Sequence, residues 1–196
     1  MKRAKEKTSG STKVCLSPTH NIMMMFLLEF NTQKLQKNYN DFVNELNMFS
    51  LVCANPECGV HGDCVRHGFY VRFVKTAEPK QSLEILRVRC KSCKVTHALL
   101  PAFMVPYSQI IVGDQIDIIS KHLEGINPYR IKPLNAEVDP WNISYVISNF
   151  KKHWKAVLKS FFIVFPSEAK ELSKSCFKHT KMQFMQIRRK PNVLLC

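Results

Sequence analysis

Eight cysteines stand in this 196-residue sequence, and four of them fall into two close pairs, Cys53 with Cys58 and Cys90 with Cys93. Thirty-one residues separate the pairs, while Cys15, Cys64, Cys176 and Cys196 are scattered. Two pairs at this spacing suit a metal better than a set of disulfides. Zinc takes tetrahedral sulfur at about 2.3 Å, and two tight turns on neighbouring strand ends present four thiolates in that way. Gly59, directly after Cys58, lets the backbone turn and aim N–H groups at the sulfurs. Lys91 and Lys94, with Arg87 and Arg89 upstream, offset the negative charge of such a cluster. Four residues lie between Cys53 and Cys58 where two is common, so Cys64 and His61 are rival ligands. Four thiolates leave no open coordination position, which points to a structural rather than a catalytic Zn²⁺.

The elements that must hold these turns are legible around them. His67–Val74 and Ser82–Arg89 are rich in aromatic and β-branched residues and flank a polar, proline-containing stretch from Thr76 to Gln81, which reads as a hairpin. The second cysteine pair follows that hairpin directly, and Pro101 and Pro106 close the unit. Upstream, Ile22–Leu28 is a short apolar run compatible with a strand. Leu35, Tyr39, Phe42, Val43 and Leu46 recur at helical spacing, with Asn31 or Thr32 as a cap.

These residues carry a resemblance. Cys58-Gly59, Arg66–Arg72, Arg87–Cys93 and Thr96–Pro101 together resemble the zinc ribbon of bacterial transposase-related proteins, in a branch built around a domain of unknown function. Val105–Tyr107 and Leu123–Gly125 continue the similarity. The resemblance implies a ribbon followed by a helix-turn-helix-like segment, with Cys53, Cys58, Cys90 and Cys93 as metal ligands. The family's first knuckle reads Cys-Pro-x-Cys-Gly, two residues shorter than here. Full transposases of this kind also carry three converging carboxylates. Past residue 107 the acidic residues are Asp114, Asp117, Glu124, Glu137, Asp139, Glu168 and Glu171, with no strand pattern to bring them together. Two-metal phosphoryl chemistry needs such convergence, so the expectation is a protein that is not an enzyme.

The second half changes period. Ile110, Ile111, Ile116, Ile119 and Leu123 mark an amphipathic helix ending near Gly125. A short middle helix around Tyr129–Leu134 would complete a three-helix arrangement. A long helix then opens at Asn142 or Ser144 and runs to Phe162, with Ile143, Val146, Ile147, Phe150, Trp154, Val157 and Leu158 on one side. Lys151, Lys152, His153, Lys155 and Lys159 lie on the other. Ser167, Glu168 and Glu171 start a further helix to about Thr180. Asn142, Ser144, Tyr145 and Asn149 are candidates for base edges. Lys151, Lys152, Lys155, Lys159 and Arg130 are candidates for phosphates. Arg66, Arg72, Arg87 and Arg89 form a second basic cluster on the hairpin. His97 is a candidate donor to a cysteine sulfur.

Charge agrees with that chemistry. The chain has 29 Lys+Arg against 15 Asp+Glu, a formal net charge of +14, and the excess is spread over its length. With 45% hydrophobic and 22% charged residues it is a folding sequence, not a disordered polycation. The expected partner is double-stranded DNA, with a homodimer or an element-encoded protein as further partners. RNA or an acidic protein bound by a zinc-ribbon adaptor is the alternative. The longest apolar run is too short for a membrane span and ends in no cleavage-site pattern, so a cytoplasmic protein is expected. The expected organisation is α+β: a disordered basic tail (1–13), a strand and helix (14–50), a zinc β-ribbon (51–107) and a helical, helix-turn-helix-like half (108–196).

Overall fold

The computed structural model describes residues 23–26, 34–76, 81–160 and 164–179. The 1–13 tail, the caps at Asn31 and Thr32 and the basic stretch Arg188–Lys190 lie outside the described residues. Four strands form one sheet: β1 (Met23–Phe26), β2 (Cys64–Val74), β3 (Gln81–Cys90) and β4 (Thr96–Pro101), in the order β1-β4-β3-β2. β2 and β3 are the expected hairpin, longer at both ends. β4 lies antiparallel to β3, and β1 lies parallel to β4 with Met23 opposite Ala98.

The helix α1 (Leu35–Glu45) packs on this sheet through Leu35, Tyr39 and Val43. Its docking has a specific cause. β3 and β4 stay paired only from Arg89↔Thr96 to Arg87↔Ala98, and then they diverge. The Tyr39 hydroxyl fills the gap, donating to the Leu99 carbonyl and accepting from the Leu86 N–H, both at 2.9 Å. Gln36 Oε1 accepts the next inward N–H of that strand, from Glu84, at 2.8 Å. Two buried backbone groups that the sheet abandons are thereby satisfied. Burial pushes the Tyr39 phenol up to about 12, so it stays a donor.

A bulge at His67 shifts the β2–β3 register between Arg66 and Gly68. Gly68, at φ +110°, accommodates it. The extra residue exchanges the faces of β2. Cys64 is buried on the side that Phe69, Val71 and Phe73 expose further along, whereas Tyr70 and Val74 turn inward beyond the bulge.

The second half is helical: α2 (Val112–Leu123), α3 (Pro140–Ser160) and α4 (Ala169–His179). They build a separate core from Val105, Ile118, Ile119, Val146, Phe150, Val157, Leu158 and Phe177. Three sequence expectations are corrected here. The middle helix is a single 3₁₀ turn, Pro128–Arg130, because Pro133 stops any continuation. The long helix starts at Pro140, two residues before Asn142, since Asp139 is its cap: Asp139 Oδ1 accepts from the Asn142 N–H at 3.0 Å, and proline suits the first helical position. His153 is buried with the apolar side, and burial, followed by nearby Lys152, lowers its basicity. Among the described residues no helix is long and apolar enough to cross a membrane.

The two cores meet at a seam. The Lys75 ammonium pairs with Asp139 at 2.8 Å, and the Lys75 N–H donates to the Gln109 carbonyl.

Candidate metal centre and basic face

The first knuckle is a turn organised by Asn55. Its Oδ1 accepts from the Glu57 N–H, and its carbonyl accepts from the N–H groups of Cys58 and Gly59. The Asn-Pro pair therefore absorbs the two additional residues within a compact turn. The second knuckle is tied to the start of β2: the Lys91 N–H donates to the Asp63 carbonyl, and the Ser92 hydroxyl donates to the Asp63 carboxylate. Both knuckles end alike, with Gly59 at φ +59° after Cys58 and Lys94 at φ +63° after Cys93.

Cys53, Cys58, Cys90 and Cys93 bring their sulfurs within 4.8 Å of one another. Cys53 and Cys93 are 3.6 Å apart, and Cys58 and Cys90 are 3.8 Å apart. A sulfur tetrahedron about 2.3 Å in radius has edges of about 3.8 Å, which these two separations match, so the four cysteines are placed to coordinate a metal ion. The N–H two residues beyond three of the cysteines points at the sulfur, Asn55 to Cys53, Val60 to Cys58 and Val95 to Cys93. Burial pushes the Cys53 thiol up. For Cys93 burial acts in the same sense, but the Val95 N–H, the Asn55 amide and the neighbouring cysteines outweigh it and draw the thiol down to about 7. His97 is buried, with Nε2 3.2 Å from Cys53 Sγ. That is the supporting position expected of a histidine that orients a ligand.

The rivals stand aside. Cys64 is buried opposite Cys90 in the β2–β3 ladder and outside the cluster, its thiol raised to about 11 by burial. His61 forms an isolated bridge with Val52.

The arginines of the hairpin divide. Arg66 donates to the Val43 carbonyl at 2.6 Å and fastens α1 to β2. Arg72 donates to the carbonyls of Val105 and, at 2.7 Å, Ser108. It clamps the segment that links the two cores. Arg87 is half-buried beside Gly68, and exposed Arg89 donates to the Lys94 carbonyl at 3.2 Å. On α3, the residues Trp141, Ser144, Tyr145, Lys151, Lys152, Lys155 and Lys159 share the exposed side. Among the described residues none of these four lysines is in an ion pair. Asn142 instead donates its side-chain amide to Asp139. Asn149 is half-buried, its Nδ2 enclosed without a hydrogen-bond partner. Arg130 is exposed on the 3₁₀ turn.

Among the described residues no three carboxylates come together. Buried Asp114 accepts from the backbone and side-chain amides of Asn135, both at 2.9 Å, and Asp117 pairs with Lys121 at 2.7 Å. Tyr107, Gln115 and Lys75, which the sequence reading did not single out, line a cavity at the seam.

Residues 53–137 match a family model described as a domain of unknown function (DUF6431). The match begins at the first clustered cysteine and ends two residues before the cap of α3. No curated protein and no solved structure matches the chain.

Proposed function

We propose that this chain is a zinc-dependent, non-enzymatic DNA-binding protein, related to the DNA-recognition part of a transposase and accessory or regulatory to a mobile element. The observation that carries the reading is the exposed side of α3. Its N-terminal half offers Ser144 and Tyr145, groups able to meet base edges, and its C-terminal half offers Lys151, Lys152, Lys155 and Lys159 at helical spacing for phosphates. The four-cysteine cluster supports zinc as the ion that holds the sheet together. Arg89 and Arg130 extend the basic surface. In this reading the partner is duplex DNA in the cytoplasm, contacted by a homodimer or together with an element-encoded protein.

The double variant Lys151→Glu/Lys155→Glu tests it. Duplex binding should weaken strongly, and log K against log[salt] should become shallower by about two units as two phosphate contacts disappear. Binding indifferent to both substitutions would sink the proposal.

One observation favours a second reading. Phe69, Val71 and Phe73 are each about half exposed on one side of β2. An apolar stripe of this kind suits an adaptor for RNA or an acidic protein, which would show no preference among duplex sequences.

A further inference from the structure

β2 stands at one end of the strand order, and among the described residues it pairs with β3 alone. An edge strand presents a row of unpaired N–H and C=O groups, which folded proteins usually blunt with lysine, proline or a bulge. β2 contains no lysine and no proline, and its bulge at His67 lies before the stretch Phe69–Phe73. Among the described residues no backbone group of that stretch bonds to another backbone group outside the β2–β3 ladder. The first to do so beyond it is the Lys75 N–H, which donates to the Gln109 carbonyl at 2.9 Å.

The stretch reads Phe69-Tyr70-Val71-Arg72-Phe73, with phenylalanines placed symmetrically about Val71. In an antiparallel pair, directly opposed residues share a face, with Cβ atoms about 4.5–5.5 Å apart. A two-fold axis through Val71 would set Phe69 against the partner's Phe73, Val71 against the partner's Val71, and Phe73 against the partner's Phe69. These are the side chains left exposed, at 52%, 54% and 53%. Charge does not oppose the contact. Arg72 is the one charged residue of the stretch, and its guanidinium is turned inward to the carbonyls of Val105 and Ser108.

We propose that two copies of this chain join edge to edge through β2, extending the four-stranded sheet across a two-fold axis at Val71. The symmetry of the stretch singles out a second copy as the occupant, because an isologous contact uses the same patch on both sides. Half of a phenylalanine's area is about 100 Å², so the three side chains together contribute on the order of 300 Å² per copy, and the paired backbone adds to it. A total below about 1,200 Å² belongs to transient interfaces, and a dissociation constant on the order of 10 µM is expected. The contact goes beyond the DNA-binding reading above and holds with or without it.

Sedimentation equilibrium of the zinc-loaded full chain, without DNA and over roughly 1–200 µM to bracket that constant, should show monomer passing to dimer. Phe69→Lys/Phe73→Lys sets two like-charged pairs across the axis at positions exposed in the monomer. Bound zinc should be unchanged and association weaker by at least about tenfold. Phe69→Glu/Phe73→Glu should behave in the same way. An equimolar mixture of the two variants should associate roughly tenfold more tightly than either alone, since each introduced lysine then faces an introduced glutamate. A wild type that stays monomeric throughout would overturn the proposal and leave the stripe to the RNA or acidic partner of the second reading. Dimerisation of the lysine variant as tight as wild type would place the contact elsewhere and overturn it too. A mixture no tighter than its components would do the same for the axis at Val71.

Discussion

Gly59 and Lys94 occupy the same place in the two knuckles, each in the left-handed backbone region directly after a paired cysteine. A residue with a Cβ pays about 1–2 kcal/mol there. Lys94→Gly is therefore expected to stabilise the zinc-loaded protein by roughly 0.5–1 kcal/mol in urea denaturation, and Gly59→Ala to destabilise it by about 1 kcal/mol, since nothing lies near an added Cβ and only the backbone opposes it. The ligand set yields a second prediction. Cys53→Ala should lower bound zinc well below one ion per chain, whereas Cys64→Ala should keep the stoichiometry and lose only packing, as metal analysis of the purified variants will report. The pairing of Cys58 with Cys90 and Cys93 was legible from spacing alone. The choice of Cys53 over Cys64 was not, because it depends on the Asn55 turn that shortens the path between Cys53 and Cys58 and on a strand register that turns Cys64 away. Arg72 shows the opposite limit: its charge was visible, but its use on the backbone of the 105–108 segment depends on a loop no periodicity describes.

At the scale of elements, Tyr39 docks α1 together with Gln36 and Arg66, and Asp139 caps α3. Tyr39→Phe keeps the ring and removes the hydroxyl between Leu99 and Leu86, leaving two buried backbone groups without a partner. A loss of about 2–3 kcal/mol is expected, with faster amide exchange at Leu86. Asp139 caps α3 and pairs with Lys75, whose ammonium holds the carboxyl well below the ordinary carboxylate range. A carboxyl lowered on folding contributes stability that is complete above its unfolded value, near about 3.9, and is lost as pH falls through the folded one. Asp139→Ala should thus cost about 1 kcal/mol at pH 7, and the difference from wild type should narrow as pH drops below about 4. Helical spacing revealed α1, α2 and α3 as elements, and the cap-like Ser167, Glu168 and Glu171 pointed to α4. It missed the true start of α3, because an Asp-Pro step looks like loop until the cap is seen. It also kept β1 and α1 apart from the ribbon, since parallel pairing of Met23 with Ala98 leaves no local trace.

For the whole molecule, the two cores are built from separate sets of side chains, and the four clustered cysteines belong to the sheet core alone. Chelation should dismantle the sheet core while the helical half keeps its own packing. The expected readout is a far-ultraviolet helical signal that largely survives metal removal, together with loss of amide protection in β3 and β4. A single cooperative collapse of both halves would show that the Lys75–Asp139 seam couples them more tightly than its contacts imply.

The parallel contact between β1 and β4 has a consequence on the ribosome. Met23 is synthesised long before Ala98, and at about 5–20 residues per second the interval is roughly 4–15 s. Throughout that time Met23–Phe26 has no strand to join, and once Cys58 is made the first knuckle has no second knuckle with which to share an ion until Cys93 follows. The nascent chain must keep a sticky segment and two reduced thiols waiting for their partners. Its yield in a cell will follow translation speed and chaperone supply as closely as it follows the stability of the finished fold.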